Sequence, residues 1–302
     1  MTFIIIAAVI VFIFLLSVTI ILLIAGPIIL LQPKKRTAEF YRQLGLPTTP
    51  SEIGLNYEEI NIITDDGIKL NSWLIKSDIH AVGTILYLHG VADCKIDGIR
   101  FSKLMHDHGF NVFLFDARRH GNSEGKFCTY GYYEKYDVVK VIDYLTSRTD
   151  VHLGKIGIFG TSMGAAVAIQ ASSIDKRIAA IVAENSFAAL RTIFDDYQKR
   201  IVKLPFHYLR NIVIVRSELM ANFKASTVSP IESIQNILNP ILIIYGTNDR
   251  LIKHQYSLML FEKANEPKDI FPIEGASHND IWRIAGDVYE RKLLDFYQRN
   301  LK

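Results

Sequence analysis

The chain has 302 residues, 49% hydrophobic and 22% charged, values that exclude a disordered chain, a collagen or a pure coiled coil. Its 34 basic and 31 acidic side chains leave a net charge of +3, with no dense basic run and no zinc spacing, so nothing argues for a nucleic-acid partner. Two cysteines, Cys94 and Cys128, do not make a disulfide framework and suit a reducing compartment.

Phe3 to Ile24 is an apolar run of 22 residues broken only by Ser17 and Thr19. As a helix it reaches about 33 Å, enough for a hydrocarbon core of about 30 Å. Gly26-Pro27 interrupts the run, and Ile28 to Leu31 continues it. A cleaved signal peptide would want a basic start and an apolar core of about 7–15 residues. Met1-Thr2 carries no base, so residues 1–31 are expected to be a retained transmembrane anchor. Lys34, Lys35 and Arg36 follow it directly. Positive charges tend to stay cytoplasmic, which predicts an outward N-terminus and a cytoplasmic main domain in a single-pass membrane protein.

Residues 32–55 read as a linker, polar from Thr37 to Leu55 and containing Pro47 and Pro50. From there strands and helices alternate. Tyr57–Thr64 and Ile68–Ile75 read as a strand pair around the turn signal Asp66-Gly67. Val82–Leu88 and Asn111–Asp116 are buried strands flanking a helix over Gly98–His108. A helix over Tyr130–Ser147, a strand at Lys155–Gly160, a helix at Met163–Ser172 and a strand at Ile178–Val182 follow. Pro240–Gly246 is a strand, His254–Ala264 a helix, Asp269–Ile273 the last strand and Asp280–Asn300 the closing helix. Strands separated by helix-length segments predict parallel βαβ units. Between Glu184 and Pro230 the alternation lapses. Leu190, Ile193, Phe194 and Tyr197 recur at helical spacing, and a second apolar segment runs from Phe206 to Phe223. A helical insertion over one end of the sheet is expected at 185–230. From Arg191 to Lys224 it carries seven Lys/Arg against three acidic residues.

The most specific motif is Gly160-Thr161-Ser162-Met163-Gly164, placed between a strand and an Ala-rich helix. That context fits a nucleophile elbow, in which small flanking residues permit a sharp turn. The serine then stands at a helix N-terminus, where backbone N–H groups favour developing negative charge. A serine hydroxyl needs a base, and the base needs an orienting acid. Asp249 in Gly246-Thr247-Asn248-Asp249 and His278 in Glu274-Gly275-Ala276-Ser277-His278 each follow a buried strand. The order Ser162, Asp249, His278 is the hydrolase order. For the oxyanion, Met163 N–H is one expected donor. Val91 N–H is the other, because His89-Gly90-Val91 ends an early strand. His89 is expected to support that loop. Cys94 reads as a small buried hydrophobe, and Glu184 as a loop-supporting hydrogen bond. His106 and His108 suit a helix C-terminus without a metal.

With these motifs, the chain from about Tyr57 to Lys302 resembles the α/β-hydrolase superfamily. It is most similar to small serine hydrolases of the S33 serine aminopeptidase-like and monoacylglycerol lipase-like groups. The segment Asp116 to Gly125, Asp-Ala-Arg-Arg-His-Gly-Asn-Ser-Glu-Gly, resembles that family's D-x-R-G-x-G-x-S-x-G, with Arg119 in place of a glycine. The resemblance implies an α/β fold with a mostly parallel sheet of about eight strands, a domain over 56–302 and a small helical lid at 185–230. It makes Asp116, Arg118 and Ser123 structural. Ser162 would attack an acyl carbonyl, His278 would relay the proton and Asp249 would orient His278, with no cofactor and no metal. The expected activity is hydrolysis of an ester, thioester or lipid acyl bond in a small-molecule substrate. A peptidase of the same mechanism and a non-catalytic binding scaffold are the alternatives.

Overall fold

A computed structural model describes residues 2–199 and 207–302. The part of the expected lid insertion at 200–206 lies outside the described residues. The eight strands are β1 (Glu58–Ile63), β2 (Lys69–Ile75), β3 (Gly83–Leu88), β4 (Phe110–Phe115), β5 (Lys155–Thr161), β6 (Ile178–Glu184), β7 (Ile241–Gly246) and β8 (Lys268–Ile273). They form one sheet in the order β1-β2-β4-β3-β5-β6-β7-β8. β2 pairs antiparallel with both β1 and β4, and every later pairing is parallel. β3, β4 and β7 are buried at every position, as strands covered on both faces must be. Because β3 lies between β4 and β5, the chain reverses its direction of travel across the sheet beside β5. Loops at the C-terminal ends of strands open a crevice at such a point.

The helices are α1 (Thr2–Leu31), α2 (Ala38–Gln43), α3 (Ile99–His106), α4 (Glu134–Ser147), α5 (Met163–Ile174), α6 (Leu190–Tyr197), α7 (His207–Ala221), α8 (Pro230–Ser233), α9 (His254–Lys263) and α10 (Ile281–Leu301). One apolar core joins the sheet to α4, α5 and α9, and a second joins its other face to α3 and α10. A third, smaller cluster unites Leu31 with Phe187, Ile193, Phe194 and Ile214 of the lid region.

Three elements differ from the sequence reading. α1 does not stop at Gly26-Pro27 but runs for 30 residues, the one helix among the described residues long and apolar enough to cross a membrane. Proline removes a helical donor, and the chain absorbs the loss in a wide turn, Gly26 N–H reaching back to Ile21 O. The linker is packed rather than merely polar. It contains α2 and a turn of tighter helix at Pro50–Ile53, and it buries Tyr41 and Leu55. α4 begins at Glu134 instead of Tyr130. The Glu134 carboxylate accepts the N–H groups of Thr129 and Gly131, both at 2.7 Å, and holds Tyr130 and Gly131 in left-handed turns.

The Asp116–Gly125 segment is a structural knot. Asp116 is buried and accepts Lys95 N–H and Lys95 Nζ, both at 2.7 Å, and Asn122 N–H at 2.9 Å. Arg118 forms ion pairs with Asp137 and Asp66 at 2.6 and 2.9 Å. Arg119 occupies the family's glycine position with φ of +69°, so the turn keeps its left-handed geometry with a side chain present.

Candidate active site

Ser162 sits where β5 turns into α5, with φ of +54°, a strained conformation for a residue with a side chain. The neighbours make the turn possible by having no side chains. A Cβ on Gly160 would lie 2.3 Å from Gly164 O, and one on Gly164 would lie 2.1 Å from Leu88 O. Ser162 N–H donates to Glu184 O at 2.8 Å, which ties the elbow to the end of β6.

The loops after β7 and β8 bring the other two residues to this point. His278 Nε2 is 3.0 Å from Ser162 Oγ, and His278 Nδ1 is 2.6 Å from Asp249 Oδ2. The second Asp249 oxygen accepts Leu251 N–H at 2.7 Å and Ile252 N–H at 2.9 Å, so the carboxylate is held from both sides. The Asp249 side chain is 1% exposed and that of His278 is 12% exposed, leaving the imidazole at the edge of a crevice. Ser162, Asp249 and His278, far apart in sequence, are therefore in one hydrogen-bonded line.

Val91 and Met163 line a small apolar cavity with Ser162. The loop bearing Val91 passes close over Ser162, since a Cβ on Gly90 would be 3.5 Å from Ser162 Cβ. His89 shapes this loop. Its Nε2 accepts Ala117 N–H at 3.0 Å, so its proton is on Nδ1 and donates to Gly90 O at 2.8 Å. Burial lowers the His89 pKa and keeps the ring neutral.

Glu184 accepts Tyr289 O–H at 2.6 Å and Thr161 O–H at 3.3 Å, bracing the residue before Ser162. Burial pushes its carboxyl up from 4.5 to about 7. An acid whose pKa is raised on folding stabilises the fold below its unfolded pKa, and that contribution fades as pH rises through the folded value. Glu184→Gln removes the titration. Melting of the two proteins between pH 4 and 8.5 should show a gap in favour of the variant that opens from about pH 4.5 to 7 and then stays constant. Cys94 is buried, its thiol pushed up to about 12, and so has no thiolate at neutral pH.

Two features escaped sequence reasoning. Asn185, buried directly after β6 with φ of +51°, accepts Gly246 N–H and donates to His278 O, both at 3.1 Å. It clamps the two loops that carry Asp249 and His278. Asparagine at a strand end is a known left-handed residue, but its sequence neighbours carry no sign of what the amide grips. The second feature is the linker's hold on the Val91 loop. Arg36 N–H donates to Ala92 O at 2.9 Å, Arg36 Nη1 pairs with Asp93 Oδ2 at 2.6 Å, and Tyr41 O–H donates to Asp93 Oδ1.

Comparison with known proteins agrees with this architecture. The family model of the X-Pro dipeptidyl-peptidases (S15 family) matches residues 76–222. The chain is 33% identical to the uncharacterized protein YqkD of Bacillus subtilis, over 70% of each chain. It is 29% identical to the alpha/beta hydrolase domain-containing protein WAV2 of Arabidopsis thaliana, over 84% of this chain and 82% of that one. Among solved structures it resembles the Pyrococcus furiosus esterase Pf2001, with a TM-score of 0.72 and 26% identity over 85% of this chain and 96% of that one. Sheet order, elbow and relatives together lead to one assignment: the chain belongs to the α/β-hydrolase superfamily.

Proposed function

We propose that this α/β-hydrolase is a membrane-anchored serine hydrolase that cleaves acyl ester or thioester bonds. The observation that carries the reading is the line from Ser162 Oγ through His278 to Asp249, with separations of 3.0 and 2.6 Å. In the reaction, His278 Nε2 takes the Ser162 proton as Oγ attacks the acyl carbonyl. Met163 and Val91 N–H groups stabilise the oxyanion. The protonated imidazole then gives its proton to the leaving alcohol or thiol, and water, activated by the same imidazole, releases the acid from Ser162. Asp249 keeps the Nδ1 proton in place and balances the imidazolium charge. No cofactor or metal enters this scheme.

The cavity beside Ser162 has a volume of about 20 Å³, room for about one water molecule. Its walls are Phe187, Ile193, Phe194, Tyr197 and Ile252, so it suits an apolar acyl group once the lid side chains move aside. The 30-residue α1 supports the anchor, and Lys34, Lys35 and Arg36 beyond it support a cytoplasmic domain. Likeness to an esterase along nearly all of that chain favours ester over peptide substrates. The match to the S15 family keeps a peptidase as the second reading.

The deciding experiment is labelling of isolated membranes with a fluorophosphonate probe. Wild type should label and Ser162→Ala should not. Wild type that has not been treated with the probe should hydrolyse p-nitrophenyl esters faster than an X-Pro p-nitroanilide. Unlabelled, well-folded wild type would sink the enzyme reading, and the opposite substrate preference would favour the peptidase.

A further inference from the structure

Helix α7 divides its residues between two surroundings. Ile214, Ser217 and Ala221 are buried against the protein. Leu209, Ile212, Val215 and Leu219, spaced three or four apart and so aligned on one face, are 36%, 41%, 50% and 71% exposed. A helix facing water places polar residues there. The apolar strip continues onto α1: Leu23, Ile212, Val215 and Leu219 wall a shallow groove of about 450 Å³, with Asn211 and Arg216 at its rim.

The joint between α1 and α7 is built rather than incidental. A Cβ on Gly26 would come within 3.0 Å of Val213, so glycine there admits the close approach. Pro27 has no N–H to offer the carbonyl of Leu23 four residues earlier. Arg216 Nε of α7 donates to that carbonyl at 3.3 Å. A bilayer core takes about 20 helical residues, whereas α1 has 30. The surplus on the side of the folded domain is the stretch that α7 crosses.

We infer that α7 is a second membrane-contacting element, its strip Leu209, Ile212, Val215 and Leu219 immersed in the acyl-chain boundary of the bilayer that α1 crosses. The lid then lies on the membrane, and the substrates are acyl lipids that enter from the lipid plane. The exposed Arg216 and Lys224 in this region suit anionic headgroups. The inference rests on the proposed anchor role of α1.

Full-length protein in phosphatidylcholine–phosphatidylglycerol vesicles tests it. Both native cysteines are buried, so Leu219→Cys, and Arg299→Cys as a control, can be labelled singly with the fluorophore NBD. NBD at 219 should emit to the blue and be quenched by brominated acyl chains; NBD at 299 should not. Ile212→Asp combined with Leu219→Asp should lower hydrolysis of a long-chain ester embedded in vesicles about tenfold, with p-nitrophenyl acetate hydrolysis unchanged. A water-like probe at 219 in a chain that resists carbonate extraction overturns the inference and leaves the anchor standing. Release of the chain by carbonate overturns both. A blue-shifted but unquenched probe, with Leu219→Cys copies cross-linking to one another, assigns the strip to a second copy and overturns the inference.

Discussion

Asp249→Asn is expected to lower kcat toward a p-nitrophenyl ester by about 10⁴-fold while leaving the melting temperature nearly unchanged. The amide oxygen can still accept the Leu251 and Ile252 N–H groups that Asp249 Oδ1 holds at 2.7 and 2.9 Å. The amide nitrogen then faces His278 Nδ1, where a carboxylate oxygen stood at 2.6 Å. A donor in that place moves the imidazole proton to Nε2, opposite Ser162 Oγ, and the base is lost. Asp249→Ala should behave differently, because it also strips the two loop N–H groups of their acceptor and destabilises the fold by about 1–3 kcal/mol. Steady-state kinetics with thermal melts on both variants separates the two effects. Equal activity in wild type and Asp249→Asn would remove Asp249 from the mechanism.

Releasing the linker from the Val91 loop has the second large effect. Arg36 and Tyr41 meet Asp93, and Arg36 also holds Ala92 O, on a turn that Ala92 enters with φ of +66° and that Asp93 N–H closes on Gly90 O at 3.2 Å. The turn carries the expected second oxyanion donor. Displacing such a donor by about 1 Å costs on the order of 10²-fold. Arg36→Ala with Tyr41→Phe should therefore lower kcat about a hundredfold with a smaller change in KM, because most of the cavity wall (Phe187, Ile193, Phe194, Tyr197 and Ile252) lies off this loop. Arg36→Lys with Tyr41 intact should recover much of the rate. A rise in KM with unchanged kcat would show that the linker shapes the substrate pocket instead.

Much of this was legible in the sequence, for reasons that differ by element. The buried strands announce themselves as short apolar runs because both faces of the sheet are covered. Gly160 and Gly164 are legible because the elbow leaves no room for Cβ, so chemistry and sterics select the same residue types. Asp249 and His278 are legible because each follows a strand whose C-terminal end must open toward the crevice. What stayed hidden depends on contacts between distant segments. Asn185 grips Gly246 and His278 across more than 60 positions, and α2 is too short for a hydrophobic period. The extension of α1 through Pro27 rests on a wide turn and on Arg216, 193 residues away. Proline alone argues for an interruption.

The end of α1 is fastened on two sides. Leu31 O accepts Cys128 N–H at 2.8 Å, Leu30 O accepts Tyr130 O–H at 2.6 Å, and Arg36 is bound to the Val91 loop five residues later. A tether attached in this way has no swivel. With α1 in a bilayer, it sets the angle of the catalytic mouth as well as its height, so each lateral collision with a lipid arrives in one orientation. The rate of such an enzyme follows the mole fraction of substrate in the surface, and diluting the surface with inert lipid slows it while diluting the vesicles does not.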